Sequence, residues 1–431
     1  MLIQNKIVKN AGWIIACKIA QSVIALVIGM ITARYLGPSN FGVVNYAASL
    51  VAFLTPIMQL GLNNILVQEI IANPRQEGLV LGSSLVLSFF SAIACMFGLF
   101  ITVSFLHMGE TETICVCCLY STILLFQSAE LIQYWFQAKY MSKYTSIATF
   151  VAYIGVVFYK IYIIVSGKSV YWFAISNSFD YVIIAILYLL LYIRKGGGRL
   201  SFSLNMSKKM ISQSHYYIVS SLMVVAFIQT DKLMIKNFLG NAEIGFYSAA
   251  LVCATMTSFV FNAIIDSFRP LILEKKMKKD PSYEKNLSAL YGFVFYLAVA
   301  QAIFVTVFAS WIVKILYGNL YEVSTAVLQI AIWFTVFSYM GGVRTIWILA
   351  EKKQKYLWIL NLSGFLINVL LNLFFIPVWG ICGAAVASCI TQFFTNFLIG
   401  YFLRPLASNN MLILRGLSPI FLKDAIKGLK K

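Results

Sequence analysis

Charge is scarce in this chain. Only 11% of its 431 residues are Asp, Glu, Lys or Arg, and just 15 are acidic. Histidine occurs twice and proline eight times. A soluble domain carries about a quarter charged residues, so a water-exposed globular class is excluded. No Walker loop, nucleotide-binding G-x-G-x-x-G or zinc-type Cys/His spacing occurs, so no soluble-enzyme motif is left to argue from. The eight cysteines fall in or beside apolar runs. Cys115, Cys117 and Cys118 cluster without a histidine, which reads as small polarizable packing residues with no disulfide and no metal.

What is present is apolar surface, at 61% of residues. A spanning helix needs roughly 20 apolar residues. The hydropathy pattern predicts twelve spans, at 10–34, 43–68, 79–106, 113–137, 143–166, 170–193, 212–238, 245–272, 288–315, 323–350, 356–376 and 380–403. The first has no small-residue cleavage site behind it and runs on into the fold. The net charge of +18 is sorted by loop rather than gathered into a nucleic-acid patch. Alternate loops and the tail hold 25 of the 33 Lys and Arg, including the runs 194–209, 269–285 and 352–355. The opposite loops hold only Arg34, Lys168, Lys236 and Lys314. The positive-inside rule therefore predicts that both termini are cytoplasmic. Tryptophans near span ends (Trp13, Trp135, Trp172, Trp311, Trp358, Trp379) read as interfacial anchors.

The polar run at Arg194, with its three consecutive glycines, divides six spans from six. This gives an N-lobe at 1–193, a basic linker at 194–211, a C-lobe at 212–403 and a basic tail at 404–431. Two states are open for the tail: an amphipathic segment on the membrane surface, or a disordered one. The halves repeat weakly. Tyr35-Leu36-Gly37-Pro38-Ser39-Asn40-Phe41-Gly42 recurs 203 residues later as Phe238-Leu239-Gly240-Asn241-Ala242-Glu243-Ile244-Gly245. Such a turn reads as a glycine helix stop followed by tight re-entry. Because six is even, the predicted repeat is parallel about an axis along the membrane normal, an arrangement that in transporters puts a cavity between lobes.

Ionisable groups inside spans are the candidates for function, since a charge at mid-bilayer costs several kcal/mol without a partner or water. Lys18 shares a helix face with Gln21, Ser22, Ala25 and Gly29. That face can border an aqueous cavity, or it can be a close-packing stripe. Glu130, Lys160 and Asp180 form a group in the first half, readable as a structural salt bridge or as an ion or proton site. In the second half Asp231 and Lys232 lie deep in span seven. Asp266 and Arg269 are i,i+3 neighbours near the cytoplasmic end of span eight. Arg269 and Arg344 lie near the inner surface, where anchoring of topology is the plain reading. Pro56, followed by Gly61, predicts a kink or hinge in span two.

Three stretches carry a resemblance. Ala33 through Gly42 resembles the opening signature of bacterial Wzx-type polysaccharide flippases. Asp231-Lys232 with Leu239-Gly240 and Gly245-x-Tyr247 resembles their seventh-span region. Asn368-x3-Asn372 with Pro377-x2-Gly380-x2-Gly383-Ala384-Ala385 is similar to their late-span signature. The broader superfamily, with multidrug and toxic-compound exporters and fourteen-span lipid II flippases, shares parts of these motifs.

The resemblance implies an all-α membrane protein of two six-helix lobes, MATE-like and V-shaped, in the bacterial inner membrane. It implies a monomer that flips undecaprenyl-pyrophosphate-linked oligosaccharide repeat units, for O-antigen or another surface polysaccharide, by alternating access. A polysaccharide polymerase and a chain-length regulator would be its partners, alongside membrane lipids. On this reading Lys18, Arg34, Lys232 and Arg269 contact the pyrophosphate or acidic sugars, and Asp231 and Asp266 are their charge partners. Glu130, Asp180 and Lys160 would serve ion coupling, with H+ or Na+ as coupling ion and no other cofactor. An ion-coupled multidrug exporter of the same fold is the alternative. A membrane glycosyltransferase or polymerase fits less well, because the outer loops are short.

Overall fold

The computed structural model describes residues 2–419, with side chains for Cys17 and from Ala20 onward. No strand occurs among the described residues. This follows from the solvent: in lipid a segment must bond its own N–H and C=O groups, and a helix does so locally. In chain order the first nine helices are α1 Leu2–Met58, α2 Leu66–Ala72, α3 Glu77–Leu106, α4 Thr111–Ser121, α5 Ile123–Gln127, α6 Ile132–Ala138, α7 Ser142–Val165, α8 Val170–Arg194 and α9 Leu204–Leu239. They are followed by α10 Asn241–Thr255, α11 Ser258–Met277, α12 Tyr283–Tyr317, α13 Ser324–Ala350, α14 Leu357–Phe393, α15 Ile399–Phe402 and α16 Ala407–Leu417.

Among the described residues nine helices are long and apolar enough to cross a bilayer, or ten if α10 and α11, bent by 41°, form one broken span. Two of the nine are double. α1 breaks at Gly37 (φ 69°, ψ 171°) and α14 breaks at Gly380 (φ 59°, ψ −141°). Counted by legs, ten becomes the twelve that hydropathy predicts. Gly240, the repeat partner of Gly37, has φ 102° and ψ −170°. The turn matched across 203 residues of sequence thus has one backbone conformation in both places, in a φ region that glycine tolerates and L side chains resist.

The chain forms two compact units that divide between Gln229 and Thr230, within α9. The first is built on Leu62, Leu66, Ile70, Leu131, Ile132, Trp135, Phe136 and Tyr192. Trp135 meets Phe136 and Tyr192 edge to face, each at 4.9 Å between ring centroids. It is 2% exposed, so it is a core residue and not the interfacial anchor its position near a span end suggests. Trp172, Trp311, Trp358 and Trp379 are exposed, and Trp13 lies outside the described side chains.

The basic segment after α8 is a strap on this unit. Ser201 N–H donates to Gly78 O at 3.3 Å and Ser203 N–H to Ser83 Oγ at 3.0 Å. The Tyr192 hydroxyl donates to Gly198 O at 2.7 Å. Ion pairs flank the strap: Glu77 with Lys139 at 2.8 Å, and Glu69 with Lys209 at 2.7 Å. Gly78 and Gly82 allow its backbone to lie directly on α3.

In the second unit α16 packs along α12, so this part of the tail is neither a free surface helix nor disordered. The Tyr291 hydroxyl donates to Asn409 Oδ1 at 2.8 Å and the Tyr296 hydroxyl to Leu417 O at 2.7 Å. Gly416 lies against the Ser288 carbonyl, with no room for a methyl group. The eight cysteines are free thiols.

A Cβ at Gly82 would sit 2.3 Å from the Ser201 carbonyl oxygen, so Gly82→Ala must push the strap off α3. The expected cost is about 1–3 kcal/mol, read as a lowered thermal-unfolding midpoint in detergent. An unchanged midpoint would contradict the strap packing.

Candidate functional site

The most complete polar constellation in the second unit surrounds Asp231 on α9. Its carboxylate is 7% exposed and accepts from three neutral donors. The Tyr247 hydroxyl of α10 approaches Oδ2 at 2.5 Å, and Asn372 Nδ2 of α14 approaches Oδ1 at 2.7 Å. The Ser388 hydroxyl, on the other leg of α14 beyond Gly380, also donates to Oδ2. Asn372 Nδ2 is shared with Asn368 Oδ1 at 3.0 Å, which the i,i+4 spacing on one helix permits. Tyr247, Asn368 and Asn372 are all buried.

A buried carboxyl group without partners is costly, and here both of its oxygens have hydrogen-bond donors. Asn372 Oδ1 is buried without a hydrogen-bond partner. Two carboxylate oxygens and two hydroxyl oxygens thus converge beside the Asn372 amide nitrogen. That set suits a proton or a hard monovalent cation better than a transition metal. Among the described residues no group of three His, Cys, Asp or Glu gathers as a metal site.

Sequence reasoning makes Asp231 the charge partner of a lysine. The hydrogen bonds to its carboxylate come instead from hydroxyl and amide groups, while Lys232 lies within electrostatic reach. The residues that carry the late-chain resemblance (Asp231, Tyr247, Asn368, Asn372) meet in space. Ser388 had no sequence signal beyond its place in the last span.

In the first unit Lys160 of α7 donates to Asn177 Oδ1 of α8 at 3.2 Å. Asp180, one turn along α8, is within electrostatic reach of both Lys160 and Glu130, and its Oδ1 is buried without a hydrogen-bond partner. Gln127, which bonds Glu130, also reaches the Tyr181 hydroxyl at 3.4 Å. The three ionisable groups singled out in this half therefore form one neighbourhood.

The remaining candidates are separate. Arg269 pairs with Asp266 at 2.8 Å, and both side chains are substantially exposed. Arg34 is exposed at the Gly37 break. Pro56 and Gly61 are buried near the Met58 end of α1. Lys18 lies in α1 outside the described side chains. Arg344 departs from the anchoring role: it is 1% exposed, and its Nη1 donates to Thr395 O at 2.6 Å. That carbonyl belongs to the π-helical stretch Phe394–Leu398, whose wider turn leaves backbone groups in need of such a donor.

No curated protein matches the chain in sequence. Solved structures share its fold. An inward-closed lipid II flippase MurJ superposes with a TM-score of 0.66 at 14% identity, over 93% of this chain and 90% of that one. An inward-facing multidrug-resistance MATE transporter of the MOP superfamily gives 0.65 at 12% identity, over 94% and 96%. A MOP superfamily transporter from Pyrococcus furiosus, described as having a binding pocket of reverse polarity, gives 0.59 at 15% identity, over 99% and 96%. The model of the family described as polysaccharide biosynthesis protein matches residues 7–276. With that match over most of its length, the chain belongs to the polysaccharide biosynthesis protein family.

Proposed function

We propose that this protein is a flippase that carries an undecaprenyl-pyrophosphate-linked oligosaccharide repeat unit across the bacterial inner membrane, for O-antigen or another surface polysaccharide. The observation that carries the reading is the family match over residues 7–276 in a chain of membrane-transporter fold. It is a transporter and not an enzyme, with both termini cytoplasmic as the loop charges indicate. The pyrophosphate brings negative charge to the membrane, and Lys18, Arg34, Lys232 and Arg269 are its counter-charges. The lipid tail stays in the bilayer while the sugars cross by alternating access of 1–193 against 212–403. Polymerase and chain-length regulator act on the delivered unit.

Coupling to H+ or Na+ runs through carboxylates within the helices. Glu130 and Asp180, beside Lys160, are candidates in the first unit. Asp231 is the better-built one, because its bonds join α9, α10 and both legs of α14. A proton on Oδ2 turns an acceptor into a donor. The Tyr247 and Ser388 hydroxyls then compete for what remains, and the links between helices loosen. A cation at the same oxygens would tighten them. One observation favours the second reading, an ion-coupled multidrug exporter: acids away from the helix ends occur in both units, Asp231 buried and Glu130 and Asp180 half-buried. Exporters of cationic drugs need such acids, and a susceptibility panel in an expressing strain separates the readings.

Lys18→Ala and Lys232→Ala are each expected to abolish polysaccharide export in a complemented deletion strain, with normal amounts of protein in the membrane. Wild-type export from both would remove these residues from the substrate path. Asp231→Asn keeps the volume and removes the charge. Losing charge-assisted hydrogen bonds worth about 1.5–3 kcal/mol each predicts a fall of roughly 10–100-fold in reconstituted transport, with a smaller fall for Ser388→Ala. Transport by Asp231→Asn at the wild-type rate would exclude the coupling role.

A further inference from the structure

The first unit contains a cavity that none of these roles uses. It lies between the Met58 end of α1 and the Ser221–Val225 stretch of α9, with a volume of about 320 Å³. That is at the lower end of the ~300–1,000 Å³ range of small-molecule sites. Thr55, Gln59, Asn63 and Ser221 supply hydroxyl and amide groups to its wall, and no charged side chain lines it.

The wall is made by a helix that fails on purpose. Pro56 has no N–H to give to the Ala52 carbonyl, and both residues face the cavity. Beyond Met58 the chain takes two consecutive left-handed residues, Leu60 (φ 51°) and Gly61 (φ 67°). Leu60 is not glycine, so this conformation is strained, and strain of this kind collects at functional sites. Gly61 is wedged under α9: a Cβ there would be 2.5 Å from the Ser214 carbonyl oxygen.

One side of the irregular stretch is secured by α3. The Ser88 hydroxyl donates to Met58 O at 3.2 Å and the Ser91 hydroxyl to Ile57 O at 3.1 Å. The other side, with Ala52, Thr55 and Gln59, is left to the cavity. Irregular backbone at membrane depth persists only where protein buries it or where it lines a wet space. Among the described residues, no hydrogen bond engages the Gln59 amide or the Ser221 hydroxyl. The Thr55 hydroxyl is committed to Val51 O at 2.9 Å and keeps its lone pairs. Asn63 Oδ1 accepts from Asn64 Nδ2 at 2.9 Å, and its side chain also meets the Tyr134 hydroxyl, so it stands in the wall held in place from two sides.

A wall of mixed donors and acceptors without charge offers nothing to a pyrophosphate or to a cation. It suits a group whose hydroxyls both donate and accept. We propose that this cavity is a subsite for one uncharged sugar ring of the translocated lipid-linked oligosaccharide, recognised through Gln59, Asn63 and Ser221. The proposal rests on the flippase reading and adds to it a separation of tasks: cationic groups hold the pyrophosphate, and this cavity reads sugar.

The test measures binding to the full-length protein in nanodiscs by tryptophan fluorescence, with two probes. One is undecaprenyl pyrophosphate. The other is the native host's undecaprenyl-pyrophosphate oligosaccharide, extracted from a strain lacking the gene. Two to three net hydrogen bonds predict that the wild type binds the glycosylated probe roughly tenfold more tightly. The double variant Gln59→Ala with Ser221→Ala is expected to lose that advantage while binding undecaprenyl pyrophosphate within about twofold of wild type. If the double variant does not fold, Ser221→Val, which fills the cavity with methyl groups, makes the same comparison. Retention of the full advantage overturns the subsite. Equal wild-type binding of both probes overturns the subsite and leaves the flippase reading intact. Failure of the wild type to bind either probe overturns both.

Discussion

In a bilayer no solvent is on hand to bond a backbone amide or carbonyl that the chain leaves open, and the irregular stretches within the long helices are built around that constraint. Where α1 loses its helical bonding near Pro56, hydroxyls of α3 take up the carbonyls of Ile57 and Met58. Where the chain widens into a π-turn after α14, the Arg344 guanidinium takes up the Thr395 carbonyl. Where helices must stop and re-enter, glycines at 37, 240 and 380 supply conformations that bulkier residues resist. The same rule governs side chains. Asp231 is tolerated because three donors from α10 and α14 meet its carboxylate.

A carboxylate held this way differs from one paired with lysine. An ion pair is neutral as a unit and changes little when a proton or cation arrives. Here the hydrogen bonds come from hydroxyl and amide groups, and Lys232 acts on the carboxylate only at a distance. Its bonds also span elements that would otherwise be joined by apolar contact alone. One carboxylate thereby links α9, α10 and the two legs of α14. The glycine break at 380 lies between the legs and brings Ser388 back beside Asn372.

Much of the architecture was legible in the sequence because hydropathy and lipid thickness fix span length. The breaks at Gly37 and Gly380 fall where short polar or proline-containing turns interrupt apolar runs. The 203-residue repeat identified a turn whose conformation is the same at Gly37 and Gly240. What could not be read was direction around a helix axis. Arg344 and Trp135 sit near span ends, where anchoring is the default, yet both point inward and are 1% and 2% exposed. Asn368 and Asn372 stood out as a motif, but only the fold of α14 brings Ser388 back beside them. The tail helix Ala407–Leu417 is amphipathic in sequence, which announces an apolar face but not that α12 covers it.

The central claim is that a lipid-linked oligosaccharide is the cargo. Deletion of the gene in its host, followed by analysis of undecaprenyl-linked sugars and surface polymer, tests it most directly. The account predicts complete lipid-linked repeat units stranded on the cytoplasmic side and loss of surface polysaccharide. Normal surface polymer in a host without a second flippase would contradict it.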